Sequence, residues 1–181
     1  MRRVIANLDS TVDGVTEQPA AWMRPRQADA DARVQAMMRG TDALLLGRVT
    51  YDHLAAYWPA QPRGASWIAD FVNGTPRAVV SRTLRDPAWP GTTVLPDLDG
   101  VADLRAQGQG HLVVLGSMTL LDALARAHLI DEYHLWLHPV LLGGARPVFP
   151  PGLNQSLTLL EAQPFTGGLL LLRYAPHGGT A

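Results

Sequence analysis

Leu44-Leu45-Leu46-Gly47-Arg48-Val49-Thr50-Tyr51 decides how the rest of the chain reads. Three consecutive leucines suit a strand covered on both faces of a sheet. Gly47 then lets the backbone turn sharply at the strand end. Tyr51, Leu54, Ala55 and Trp58 recur at i, i+3, i+4 and i+7, the apolar stripe of a helix, and Pro59 closes it. Gly47 and Arg48 therefore stand where a buried strand hands over to a helix N-terminus. Unsatisfied N–H groups and the helix dipole favour an anion there, and Arg48 adds a fork of donors. The same residues also suit an ordinary strand–turn–helix with a solvated arginine.

Strand–glycine–polar–helix recurs once along the chain. His111 to Leu115 reads as a buried strand, Gly116-Ser117-Met118-Thr119 follows it, and Leu120, Leu121 and Leu124 begin a helix. A third strand, Pro76 to Val80, ends in Ser81-Arg82-Thr83. Taken alone, Ser81-Arg82-Thr83 suits a polar turn and Gly116-Ser117 a helix N-cap. In open α/β sheets, ligands bind beyond the carboxyl ends of the strands. Three such ends on one edge suit a dinucleotide carrying an extra phosphate. Two helix N-termini would flank its pyrophosphate, with Arg48 and Arg82 on a ribose 2′-phosphate.

The remaining chain fits around this pattern. Val4 to Asp9 is a first strand, Asp13-Gly14 a turn, and Val15 to Pro25 a long loop containing Trp22. Trp22 either covers a site or pins the loop to the core. Gln27 to Arg39 is a helix stopped by Gly40. Asp31, Val34 and Met38 share a face of it, while Asp29, four residues before Arg33, suits half of a surface pair. A short helix lies around Ser66 to Val72, a strand at Thr92 to Leu95 and a helix at Leu98 to Gln107. From Asp131 the period becomes two, with Tyr133, Leu135 and Leu137 on one face and His134, Trp136 and His138 on the other. Pro139 to Pro151 is a glycine- and proline-rich excursion. Leu157 to Leu160 and Leu169 to Tyr174 form strands joined near Thr166-Gly167-Gly168. Alternating strands and helices, then a β-rich last third, predict an α/β fold with a mixed central sheet and helices on both faces. Residues 1–176 read as one domain and 177–181 as a disordered tail.

Composition excludes several classes. The 181 residues are 47% apolar with a net charge of −1, and the 15 basic residues are all arginine. No basic block stands out, which argues against nucleic acid as the main partner. No apolar run is long enough for a membrane span. The absence of cysteine excludes disulfides and thiol catalysis and fits the cytoplasm. The six histidines show no ligand spacing, since His134 and His138 lie in a strand pattern, so no metal site is expected.

These pieces resemble the dihydrofolate reductase superfamily, in the branch containing the C-terminal reductase domain of bacterial riboflavin biosynthesis. The matching stretches, in order, are Asp13-Gly14, Ala43 to Tyr51, Val79 to Thr83, Val114 to Ser117, Asp131-Glu132-Tyr133 and Pro139 to Gly144. The family often has two adjacent glycines where this chain has Gly116-Ser117. The resemblance implies a dihydrofolate reductase-like three-layer α/β/α fold. It also implies NADPH held at Gly47, Arg48, Thr50, Ser81, Arg82, Gly116, Ser117 and Thr119. The activity to expect is hydride transfer from NADPH to a small heterocycle, pterin- or pyrimidine-like, or to another C=N or C=O compound. The alternative is a non-catalytic NADPH- or small-ligand-binding protein on the same fold.

Reduction of a C=N bond leaves a nitrogen that needs a proton or an orienting carboxylate. Asp31 is the candidate, because it shares a helix face with Val34 and Met38 and an inward charge needs a reason. Its place sixteen residues before Gly47 is similar to that of the substrate-binding carboxylate in dihydrofolate reductases. A first-turn aspartate facing solvent is the other reading of Asp31. Asp13 comes second, because its place before Gly14 suits a turn. A homodimer is expected from Leu169 to Leu172, apolar on both alternating faces, and from the resemblance.

Overall fold

The structure is a computed structural model that describes residues 1–143, 148–149 and 151–178. The chain is α/β with a β-rich last third, as its patterning predicts. It divides into two compact units, one of Met1–Val4 with Gly40–Leu129, the other of Ile5–Arg39 with the chain from Ile130 on.

The first unit is built on four parallel strands: β2 (Thr41–Gly47), β3 (Arg77–Val80), β4 (Thr92–Leu95) and β5 (His111–Gly116), in the order β4-β3-β2-β5. Each is followed or preceded by helix, namely α3 (Arg48–Tyr57), α4 (Trp67–Gly74), α5 (Leu98–Ala106) and α6 (Met118–Arg126). Leu44, Leu45 and Leu46 are all fully buried, which is the two-sided cover that an unbroken leucine run requires. Burial of each is worth roughly 1.5–3 kcal/mol. α3 stops where Pro59 removes an N–H, and the chain continues as a 3-10 turn, Trp58–Ala60. α4 starts on Ser66, whose hydroxyl accepts from the Ala69 N–H, and α5 on Asp97, whose carboxylate accepts from the Gly100 N–H.

Arg77 is the unexpected core residue of this unit. Its guanidinium donates to the carbonyls of Val72, Thr75 and Pro90 and lies 4.1 Å from the centre of the Trp89 ring. The side chain thereby ties the end of α4 to the 90–91 turn that precedes β4. Burial lowers its pKa.

The second unit holds a mixed set of strands: β1 (Arg3–Thr11) from Ile5 on, β6 (Glu132–His138), β7 (Leu157–Pro164) and β8 (Leu170–Pro176), in the order β1-β6-β8-β7. β1 and β6 are parallel, whereas β6–β8 and β7–β8 are antiparallel. The β7–β8 connection turns at Gly167 and Gly168, both with φ of 83°, a conformation only glycine adopts without strain. α2 (Ala28–Met38) buries Ala30, Val34 and Met38 at four-residue spacing.

Two expectations change here. The 15–25 segment is not all loop: it contains a one-turn helix, α1 (Pro19–Trp22), started by Pro19 in its first position. Trp22 pins this turn, buried, with its Nε1–H on the Glu17 carbonyl at 2.8 Å. Asp29 does not pair with Arg33. It accepts from the Thr166 N–H at 2.8 Å, while Arg33 grips both oxygens of Glu161 at 2.7 and 2.9 Å, because the β7–β8 hairpin offers each a better partner. In β6 the face carrying His134, Trp136 and His138 is the buried one, and Leu135 and Leu137 are half-buried.

In the excursion after β6, residues 144–147 and 150 lie outside the described residues. Of the expected tail, His177 donates its N–H to the Ser156 carbonyl at 2.8 Å, and residues 179–181 lie outside the described residues.

Candidate functional site

The strand ends singled out in the sequence meet within the first unit. Parallel pairing sets Gly47 opposite Val80, so Ser81 is the next residue along that edge, and Leu46 opposite Gly116. Gly47, Ser81 and Gly116 therefore lie at the same carboxyl edge of three adjacent strands. The Gly116–Ser117 peptide bond is cis. Gly116 has φ of 126°, and a Cβ there would sit 3.1 Å from Thr50 Oγ1. Thr50, in the first turn of α3, thus packs on the end of β5.

Gly47 is required for a different reason from the one its position suggests. Its φ of −78° and ψ of 160° are ordinary extended backbone. A Cβ at Gly47 would run into Ser117 Oγ, so close approach rather than a sharp turn demands glycine. The consequence for binding is direct: the start of α3 has no side-chain cap. The N–H groups of its first turn remain available to an anion.

The hydroxyls differ in their commitments. Ser117 Oγ accepts from the Leu120 N–H at 3.3 Å as the N-cap of α6, which leaves its own O–H to donate. Ser81 Oγ accepts from the Thr83 and Leu84 N–H groups at 3.2 and 3.1 Å, so it shapes the turn after β3. Thr119 lies in the first turn of α6 and is exposed. Arg48 begins α3, and its Nε faces both oxygens of Asp52 at 2.8 and 2.9 Å, an i,i+4 pair near the surface. That pair orients the guanidinium while its terminal nitrogens keep donors to spare. Arg82 is exposed at the end of β3. Two arginines and an uncapped helix start make this edge fit a phosphorylated dinucleotide by donor chemistry.

Asp31 lies in the second unit, half-buried in the first turn of α2, one residue past buried Ala30. Its Oδ2 accepts from Gln35 Nε2 at 3.3 Å. It stands at the shoulder of the buried face rather than on it. Asp13 is a loop clasp: it takes the Thr11 hydroxyl at 2.5 Å and the Leu142 and Gly143 N–H groups at 3.1 and 2.7 Å. The Thr11 bond, with the Gly143 N–H next, holds its carboxyl below the usual range.

The second unit also assembles a polar group that the sequence reading did not single out. Asp9 Oδ1 lies 2.8 Å from His138 Nε2, and Arg26 Nη2 reaches both Asp9 oxygens at 2.6 and 2.8 Å. Trp136 Nε1 donates to Asn7 Oδ1 at 3.0 Å beside them. Period-two alternation was the available signal. Asn7, Asp9 and Thr11 share a face of β1, and His134, Trp136 and His138 share one of β6, but nothing local pairs the two strands. A cavity of about 150 Å³ opens here, lined by Arg24, Arg26, Gln27, His138 and the Thr166–Gly167 turn, among others.

Comparison with known proteins places these observations. The profile of the RibD C-terminal domain family matches residues 2–171. An uncharacterised Bacillus subtilis protein, YyaP, is 24% identical over 181 residues, spanning 98% of this chain and 96% of its own. The fold is similar to that of a pyrimidine reductase-like protein from Corynebacterium diphtheriae, with a TM-score of 0.69 at 15% identity over 97% of this chain and 92% of the other. It is also similar to dihydrofolate reductase from Enterococcus faecalis, crystallised with NADP(H), with a TM-score of 0.68 at 13% identity over 96% of each chain. The fold is therefore dihydrofolate reductase-like.

Proposed function

The chain belongs to the RibD C-terminal domain family, and on that premise we propose that it is an NADPH-dependent reductase of a small heterocycle, pterin- or pyrimidine-like, or of another C=N or C=O compound. The observation that carries this reading is the convergence of Gly47, Ser81 and Gly116 on one strand edge, beside an uncapped helix start. Family and fold both relate the chain to reductases.

In this reading the N–H groups at the start of α3 and the Ser117 hydroxyl take the cofactor's phosphates, and Gly47 and Gly116 keep side chains out of their way. Arg48 and Arg82 face the 2′-phosphate, and Thr50 and Thr119 offer hydroxyls from the first turns of α3 and α6. When bound, the reduced nicotinamide supplies a hydride. Asp31 is the carboxylate assigned to orient the substrate's nitrogen edge by accepting its N–H groups. The test is a fluorescence titration with NADPH and NADH, followed by NADPH consumption against pterins, pyrimidines and imines. Absence of NADPH binding rejects the reading. NADPH binding without consumption favours a binding protein on the same fold.

The protein also functions, in this proposal, as a homodimer. Leu135 pairs with Leu172 and Leu137 with Leu170 across β6 and β8, and all four are half-exposed on one sheet face. Leu159 and Leu160 on β7 are exposed. Such a face needs cover, and light scattering at micromolar concentration should give twice the chain mass. A monomeric mass rejects the dimer. No helix among the described residues is long and apolar enough to cross a membrane, and the working compartment assigned here is the cytoplasm, where NADPH is supplied.

A further inference from the structure

β1 and β6 run parallel, with Asp9 opposite Trp136 and Thr11 opposite His138. On the face they share, His138 is 4% exposed and its Nε2 meets Asp9 Oδ1 at 2.8 Å. A carboxylate partner fixes the proton on Nε2, so Nδ1 is the nitrogen left to exchange a proton with an occupant. Arg26 holds Asp9 through both oxygens and lies 5.5 Å from the centre of the Trp136 ring. Trp22 stands edge-on to the His138 ring, with centroids 5.3 Å apart. The ring is thus fixed in place by a carboxylate and an indole, and the carboxylate is itself fixed by an arginine.

An arginine, a carboxylate and an imidazole in partial burial are costly unless paired, and here Asp9 pairs with both of the others. Arg26 Nε is buried with no hydrogen-bond partner among the described residues. Arg26 and His138 both line the cavity of about 150 Å³. A cavity of that order accommodates a benzene-sized ring.

We propose that this cavity receives the substrate's ring and that His138 donates the proton which reduction of its C=N bond requires, an inference that rests on the reductase reading above. Asp9 and Arg26 are positioning residues. A bound reduced nicotinamide would supply the electron pair, as hydride to carbon. As the C=N π bond opens, the nitrogen forms a bond to the Nδ1 proton and the imidazolium becomes neutral imidazole. Nε2 keeps its own proton throughout, donated to Asp9, and solvent restores the proton at Nδ1. The charged groups beside the ring are Asp9 from β1, which meets it directly, and Arg26, which holds Asp9; Arg24 lines the same cavity. Asp29 of α2 is occupied by the Thr166 N–H of the cavity turn.

The first experiment needs no turnover. Imidazole nitrogen signals of the cofactor-free protein are recorded by NMR, with His138 assigned by its loss in His138→Gln, while 2-aminopyrimidine and uracil are titrated to millimolar concentration. The His138 Nδ1 signal should move, and His138→Gln should bind the probe at least about tenfold more weakly. A His138 signal unmoved by both probes overturns the site. Should His138→Gln melt early, Asp9→Asn serves instead, because it releases the ring while keeping the shape of the side chain. The second experiment uses a heterocycle that the wild type reduces. His138→Gln should lose roughly 10²-fold in turnover and flatten its pH profile, with NADPH affinity unchanged. Wild-type turnover with an unaltered profile overturns the proton donor. If no heterocycle is reduced, it is the reductase reading that falls, and the NMR titration decides the ring site independently.

Discussion

Gly47 and Ser117 approach so closely that no side chain fits between them: a Cβ on Gly47 would collide with Ser117 Oγ and lie 3.1 Å from its backbone nitrogen. The contact joins the start of α3 to the cap of α6, the two helix ends assigned to the cofactor. Gly47→Ala should therefore destabilise the fold by about 1–3 kcal/mol, the usual cost of overpacking, and weaken NADPH binding as α6 shifts. Urea unfolding measures the first effect and a fluorescence titration the second. Wild-type values for both would show that the contact yields without consequence.

Arg48 tests how the cofactor is distinguished. Its Nε is held by Asp52, which leaves the outer guanidinium nitrogens for a 2′-phosphate. Arg48→Ala should weaken NADPH by roughly 1.5–3 kcal/mol, the range for hydrogen bonds to charged groups, and NADH far less. Asp52→Ala frees the guanidinium from its guide and should cost NADPH a smaller amount. Equal losses for both cofactors would remove Arg48 from 2′-phosphate recognition.

The parts of the fold that were legible in the sequence are those governed by local pattern. Leu44 to Leu46 announced a strand covered on both sides because only that environment tolerates three leucines in a row. Ser117 was readable as an N-cap because its chemistry acts three residues away, on Leu120. Gly47 was readable as a required glycine, but its reason was not, since Ser117 lies seventy residues further on. Distance along the chain hid the rest. Asp9 and His138 are 129 residues apart, and Asp29 and Thr166 137. Each of these residues looks like an ordinary polar residue in its own neighbourhood. Only the β1–β6 pairing brings Asp9 to His138, and which distant strands pair is not written in local periodicity. The one-turn helix at Pro19–Trp22 was missed because it is too short to show a period.

Glu132 gives the second unit an acid-sensitive fastening. Its carboxylate meets His134 Nε2 at 2.8 Å and Arg173 Nη2 at 2.7 Å, and Arg173 reaches on to Glu161 at 2.8 Å. The bond from His134 and the charge of Arg173 hold the Glu132 pKa down to about 2, below its ordinary value of 4.5. A depressed carboxylate binds its proton more readily when unfolded, so its stabilisation is complete above about pH 4.5 and disappears as pH falls toward 2. Urea unfolding between pH 7 and pH 3 should show stability falling below pH 5, and Glu132→Gln should reduce that slope by nearly one proton. An identical slope in the variant would place the acid sensitivity elsewhere.

Asp31 is the remaining assignment, and a near-isosteric substitution tests it. Its contact with Gln35 Nε2 is long, at 3.3 Å, and an amide oxygen accepts that bond as well as a carboxylate oxygen does. Asp31→Asn keeps an oxygen for that bond and removes the charge. If Asp31 orients the substrate's nitrogen edge, the variant should lose roughly 10²-fold in turnover and leave NADPH affinity unchanged. Because orientation and proton donation are separate duties, Asp31→Asn should keep the pH profile that His138→Gln flattens. Unaltered turnover would remove Asp31 from the site. Asp13 is no ready substitute, because its oxygens are already committed to Thr11, Leu142 and Gly143. The polar work of the site would then rest on the Asp9–Arg26–His138 group, and a lost phenotype in Asp31→Asn together with a full one in His138→Gln would show it.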